Sequence, residues 1–164
     1  MNNETLFSRF LASNGKPVHF NGQTVRGSAE FTIDKPTQIQ IELLFAKSYS
    51  EFTQGLFVHI KKGKLNDRGE LFRSIYSLFD SKPWYMAAES PRKQTPNTFF
   101  VGPIWRWNDG TVQYGLQNSG VIIEEGAREG ENVTILRCSP GPIPEPDFDA
   151  FVVAVKLVPL AEEK

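Results

Sequence analysis

A chain of 164 residues that is 40% apolar and 12% aromatic is long enough for one domain with a substantial core and too short for two large ones. Its formal net charge of -1 gives no global basic excess, which removes a charge-driven hold on nucleic acid or on an anionic membrane surface. Cys138 is the only cysteine, so an intramolecular disulfide and a cysteine-rich zinc framework are both excluded, and a small buried residue is its expected role.

The chain opens with MNNETLFSRF, which lacks the basic start, long apolar segment and small-residue cleavage site of a secretory leader. No apolar run approaches the roughly 18 residues needed to span a bilayer, so the expectation is a soluble intracellular, cytoplasmic protein without a membrane partner. Leu6, Phe7, Phe10 and Leu11 recur at helical spacing, and Asn14-Gly15 supplies a stop, which predicts a first helix from Asn3 to about Ser13. In PVHFNGQTVRG, Val18 and Phe20 alternate with His19, Asn21-Gly22 makes a tight turn, and Thr24, Val25 and Arg26 begin a return strand that Phe31 and Ile33 continue.

Ile39, Ile41 and Leu43 alternate with Gln38, Gln40 and Glu42, the pattern of a strand with one buried face. In GLFVHIKKG, Phe57 and His59 share one face and Val58 and Ile60 the other. Asp67-Arg68-Gly69-Glu70 reads as a capping box, and Leu71, Ile75, Leu78 and Phe79 follow at helical spacing, which predicts a second helix over about 67–79. Trp84-Tyr85-Met86 reads as a short strand, and SPRKQTPN, residues 90 to 97, as a polar loop presenting Arg92 and Lys93.

Thr98 to Trp107 and Thr111 to Gln117 are expected to pair across Asn108-Asp109-Gly110. Val121 to Ile123 and Val133 to Arg137 form a further expected pair, joined by the charged loop EEGAREGEN. SPGPIPEPD holds four prolines and reads as a wrapped surface connection, and the near-continuous apolar run in Phe148 to Val158 reads as a strand central in its sheet. These elements predict one mainly β domain over 1–164, a β-sandwich or partly open β-barrel of about eight or nine strands with two helices.

Catalytic spacing is scarce. His19 and His59 stand in separate predicted strands with no HxH or HExxH arrangement, no serine lies in GxSxG, and no glycine-rich loop leads a lysine towards a phosphate. Glu124 and Glu125 are adjacent and point to opposite faces of a strand, whereas Asp147 and Asp149 can share a side as solvated loop carboxylates. The expectation is a non-enzymatic protein with no cofactor and no metal.

The aromatic cluster offers more. Trp84, Trp105, Arg106, Trp107 and Tyr114 can place ring faces beside a guanidinium, a combination suited to stacking on a ligand or on a partner's side chain. Strand alternation puts Trp105 and Trp107 on one face and Arg106 on the other, so the tryptophans serve either as core and cross-strand pairs or as a platform.

The helix of the LFSRFLASNG kind followed by a linker glycine and PVHFNGQTVRG, about Leu6 to Gly27, resembles the start of small phage head-tail joining or head-completion proteins. This sequence departs from their pattern after the hairpin: an acidic, glycine-rich loop and short barrel are replaced by Ala29 to Ile33, a lysine-proline turn and a long amphipathic strand. The resemblance implies a virion neck or tail component that forms a homo-oligomeric ring through contacts with other protein subunits. Arg26, in the hairpin, is the side chain expected to meet a partner. The competing class is a monomeric binding module, an immunity, anti-defence or small-ligand-binding protein, that contacts its target with loop 90–97 and the Trp105 to Tyr114 hairpin.

Overall fold

The computed structural model describes residues 4–78, 85–90 and 96–160, so Trp84, Arg92 and Lys93 lie outside the described residues. The helix α1 spans Leu6–Ala12, a little shorter than expected. The Thr5 hydroxyl accepts from the Ser8 amide at 3.1 Å and the Ser8 hydroxyl accepts from the Thr5 amide at 3.1 Å, which satisfies two of the amides that a helix start leaves open. Asn14 and Gly15 end the helix at φ 56° and 80°, with the Gly15 amide donating to the Phe10 carbonyl at 2.7 Å. The hairpin follows as expected, β1 (Val18–Phe20) pairing β2 (Gln23–Val25) across Asn21 and Gly22 at φ 49° and 78°. The return strand stops at Val25, however, and does not run on through Phe31 and Ile33.

Those two residues belong to β3 (Ala29–Ile33), which pairs elsewhere. The remaining strands are β4 (Thr37–Ala46), β5 (Phe52–Ile60), β6 (Leu65–Asp67), β7 (Glu70–Phe72), β8 (Ser74–Leu78), β9 (Tyr85–Glu89) and β10 (Asn97–Trp107). After them come β11 (Val112–Tyr114), β12 (Gly120–Arg128), β13 (Glu131–Ser139) and β14 (Phe151–Pro159). The architecture is mainly β and sandwich-like, with a seven-stranded sheet ordered β12-β13-β14-β4-β9-β6-β7 and a five-stranded sheet ordered β11-β10-β5-β8 with β3 also on β10. The apolar strand β14 is central in the larger sheet, as its unbroken hydrophobic run requires.

The core lies between these sheets. Ile39, Ile41 and Leu43 of β4, Leu136 of β13 and Val153 of β14 face Leu56, Val58 and Ile60 of β5 and Phe99 and Val101 of β10 in one buried cluster. Cys138 is buried among them, and burial pushes its thiol pKa far up, which keeps it an inert packing group. A smaller cluster joins Leu6 of α1, Val25 of β2 and Ile122 of β12, with Phe10, Val18, Phe20 and Phe148 packed against it, so the amino-terminal helix and hairpin are seated at one place on the sandwich.

Three further expectations need correction. Of the segment expected as a second helix over about 67–79, the described residues, 67–78, are extended: β6 and β7 form a hairpin across Arg68 and Gly69, whose φ values of 54° and 90° match the positive-φ turn that hairpins prefer. The side-chain oxygen of Asn66 accepts from the Gly69 amide at 2.9 Å, so the polar residues read as a helix cap instead close a turn. In β8, Ile75 and Ser77 are buried while Tyr76 is exposed, a period of two that the helical spacing of Leu71 and Ile75 had masked.

The loop EEGAREGEN is also mostly strand. β12 and β13 stay paired out to Arg128 and Glu131 across Glu129 and Gly130, again at positive φ of 54° and 79°. Finally, the proline connection runs partly inside: Pro140 and Gly141 are buried, and the Asn118 amide donates to the Gly141 carbonyl at 3.2 Å. A methyl group at Gly141 would overlap the Trp105 ring, so glycine is required where this strap crosses the indole.

Candidate interaction surface

The outward face of the smaller sheet carries rings where a solvated face normally carries polar residues. Register explains the grouping. Phe57 of β5 faces Tyr76 of β8 on one side and Gly102 of β10 on the other, while His59 faces Ser74 and Phe100. Cross-strand partners share a face, so these residues stand in two adjacent rows. Tyr114 of β11, opposite Ile104, brings its ring within 5.8 Å of the Phe57 ring at a 56° tilt.

Together these side chains line an open groove of about 280 Å³ with Ser28 at its border. Tyr76 and Tyr114 stand out at 57% and 60% exposure, and Phe57, His59, Ser74 and Phe100 are half-buried between them. Gly102 forms part of the floor; a Cβ there would lie 2.6 Å from Phe57 Cε1, so the ring rests directly over the backbone. Among the described residues, the groove lining holds no carboxylate, ammonium or guanidinium. Charge stands at its borders, where Glu30 follows Phe100 in its row and exposed Arg106 lies opposite Val112.

Within the groove His59 Nδ1 lies 2.5 Å from Ser74 Oγ, a hydrogen bond whose donor is set by the imidazole tautomer. The contact fixes the ring against β8 and leaves its other nitrogen for the groove. Among the described residues, no group of three or more His, Cys, Asp or Glu side chains is placed to hold a metal ion.

The residues expected to form a binding hairpin are divided by the sheet. Trp105 is fully buried, which corrects its expected place in a ligand platform: alternation sends it inward beneath the strap, where its indole N–H has no hydrogen-bond partner among the described residues. Trp107 shares that face and is half-buried at the sandwich end, its Nε1 donating to Gln113 Oε1 at 2.8 Å and its ring edge-on to Phe52 at 5.8 Å. Phe52 stacks in turn on Tyr49 at 4.5 Å, whose hydroxyl pKa is raised by burial and then by the charge of Asp147. Arg106 and Tyr114 lie on the opposite face from the tryptophans. Arg26 is exposed and bridges β12 through its backbone, its amide donating to the Val121 carbonyl at 2.9 Å.

Of the carboxylates, Glu124 and Asp149 both meet Arg137, at 3.1 and 2.8 Å, and Asp147 stands 3.7 Å from Lys47, so each has a surface ion pair. Sequence reasoning missed Phe100, Ser28, Ser74 and Tyr76, and it placed Phe57 and His59 on a common face without showing that this face is the open one. The available signal was the run GLFVHI, with rings on one side and aliphatic residues on the other.

No helix among the described residues is long and apolar enough to cross a membrane. Comparison with family models, with curated proteins and with solved structures gave no match for this chain.

Proposed function

We propose that this chain is a non-enzymatic interaction protein that assembles with other protein subunits through the aromatic outer face of its smaller sheet. The observation that carries the reading is the exposure of Tyr76 and Tyr114 around half-buried Phe57, Phe100 and His59 on one sheet face. Tyrosine and phenylalanine clustered with little charge are the composition of an interface centre, and Glu30 and Arg106 supply the polar border that such centres have. The helix and hairpin from Leu6 to Gly27 add a direction, a structural part of a phage neck or tail, cytoplasmic until it joins the virion. A ligand platform built on the tryptophans has less support, because Trp105 offers no accessible ring.

Light scattering over rising protein concentration tests the reading. The natural chain is expected to self-associate, and Tyr114→Ser to weaken that association by about tenfold, since one interface aromatic contributes roughly 1 to 2 kcal/mol. A natural chain that stays monomeric to millimolar concentration, with Tyr114→Ser indistinguishable from it, would overturn the reading.

A further inference from the structure

We infer that two copies of this chain pair antiparallel along the free edge of β8, about a two-fold axis through Tyr76. The inference rests on the interaction reading above and adds to the face contact an edge contact that sets two such faces side by side. β8 ends the order of the smaller sheet, and among the described residues no strand lies on its outer side.

The hydrogen-bond phase of the edge follows from its inner side. The Ile60 amide donates to the Arg73 carbonyl at 3.1 Å, which makes those two a bonded pair between β5 and the start of β8. Bonded and non-bonded pairs alternate along an antiparallel ladder, so Ile75 and Ser77 also turn their backbone groups towards β5. Ser74, Tyr76 and Leu78 therefore direct their N–H and C=O groups outward, where water or another strand must satisfy them.

Other edges carry protection that β8 lacks. β12 bears Glu124, Glu125 and Arg128, β3 has exposed Glu30 at its second position, and β7 and β11 are only three residues long. Charge and brevity are the usual devices that keep sheet edges apart. The β8 sequence SIYSL contains no charge and no proline.

That neutrality is what selects a second copy. A strand paired with itself about Tyr76 sets Ser74 opposite Leu78, Ile75 opposite Ser77, and Tyr76 opposite its own counterpart. A charge at the centre would repel its symmetry mate, whereas two tyrosines make a favourable cross-strand pair. The outward phase makes Ser74, Tyr76 and Leu78 the bonded positions, and the two five-stranded sheets become one. Because Tyr76 also borders the groove, the two aromatic faces then meet at the axis. The contact closes on itself, so it yields pairs and requires a different surface for any ring.

The test is sedimentation of the full chain with charge exchange at the axis. The natural chain is expected to form a dimer. Tyr76→Lys and Tyr76→Glu, each alone, are expected to raise the dissociation constant by at least about tenfold through like-charge repulsion, and an equimolar mixture to recover a heterodimer. Circular dichroism checks that both variants keep their strands. Tyr76→Pro removes the ring and the outward amide and is expected to be monomeric, whereas Tyr76→Ala, which removes the ring and keeps that amide, is expected still to dimerise. Association that persists in both charged variants and fails in Tyr114→Ser overturns the edge geometry while leaving the face reading in place. A mixture that gains nothing over its components also overturns it, and a natural chain that never associates overturns both.

Discussion

On the inner side of β10 Trp105 is sealed at 0% exposure, while on the outer side Tyr114, from the paired strand β11, is 60% exposed beside Phe57. Both are large aromatics from one hairpin, yet they answer to different demands. Trp105 fills space between the sheets and fixes a glycine in the strap above it. Tyr114 leaves most of its ring in solvent and touches the fold through Phe57. On the proposed reading, exposed rings of this second kind are the ones that would meet a partner.

The sharpest way to break that contrast is to truncate both. Trp105→Ala is expected to lose about 3 to 5 kcal/mol of stability in urea unfolding, from lost transfer energy and a cavity that a stiff two-sheet core cannot close. Tyr114→Ser is expected to change stability by no more than about 0.5 kcal/mol. A small effect for Trp105→Ala, or a large one for Tyr114→Ser, would reverse the assignment of core and surface.

Gly141→Ala attacks the same core from the strap. Its methyl would meet the Trp105 ring on one side and the backbone carbonyl of Leu116 on the other, and neither can swing clear. A loss of about 1 to 3 kcal/mol is expected, measured by the same unfolding curve.

Much of this division was legible in the sequence, and the failures have physical causes. Alternation alone placed Trp105 and Trp107 together and Arg106 opposite, and it separated Phe57 and His59 from Val58 and Ile60. It did not say which side faces the other sheet, because a ring is as suitable for a core as for an interface. The hairpin at Asn21-Gly22 was readable because its turn chemistry is local. At 67–79 local signals competed: Asp67 and Glu70 imitate a helix cap, Leu71 and Ile75 imitate a helical face, and only the pairing of β6 with β7 and of β8 with β5 decides for strand. Leu71, counted there as apolar and inward, is 63% exposed. The groove was invisible for the same reason, since Phe57, Phe100, Tyr76 and Tyr114 come from four strands whose order no local pattern encodes.

Gly102→Ala sharpens the comparison from the outer side. Its Cβ also meets an aromatic ring, but the ring is that of Phe57, half-exposed and able to turn outward. Stability is expected to fall by only about 1 kcal/mol, less than for Gly141→Ala. Self-association is expected to weaken by more than that small loss explains, because the displaced ring fills the groove. Equal stability losses at the two glycines would mean that the outer face is packed as rigidly as the core.

The smallest expected effect lies in the turn that links the two sides. Asp109 Oδ1 accepts from the Thr111 amide at 2.9 Å, and the Trp107 amide donates to the Thr111 carbonyl at 2.9 Å, which together set where β11 starts relative to β10. The Thr111 backbone bond, followed by that of its side chain, lowers the Asp109 carboxyl pKa below its ordinary value. A carboxyl lowered on folding adds stability that is fully present above its unfolded pKa and is lost as pH falls through the folded value. The Thr111 amide resonance is therefore expected to titrate with a midpoint below that of an ordinary aspartate, and to lose this step in Asp109→Asn. A midpoint at or above the ordinary value would show that the carboxylate does not hold the turn. In that case the Trp107–Thr111 backbone bond would be left to keep Tyr114 opposite Ile104, on the outer face.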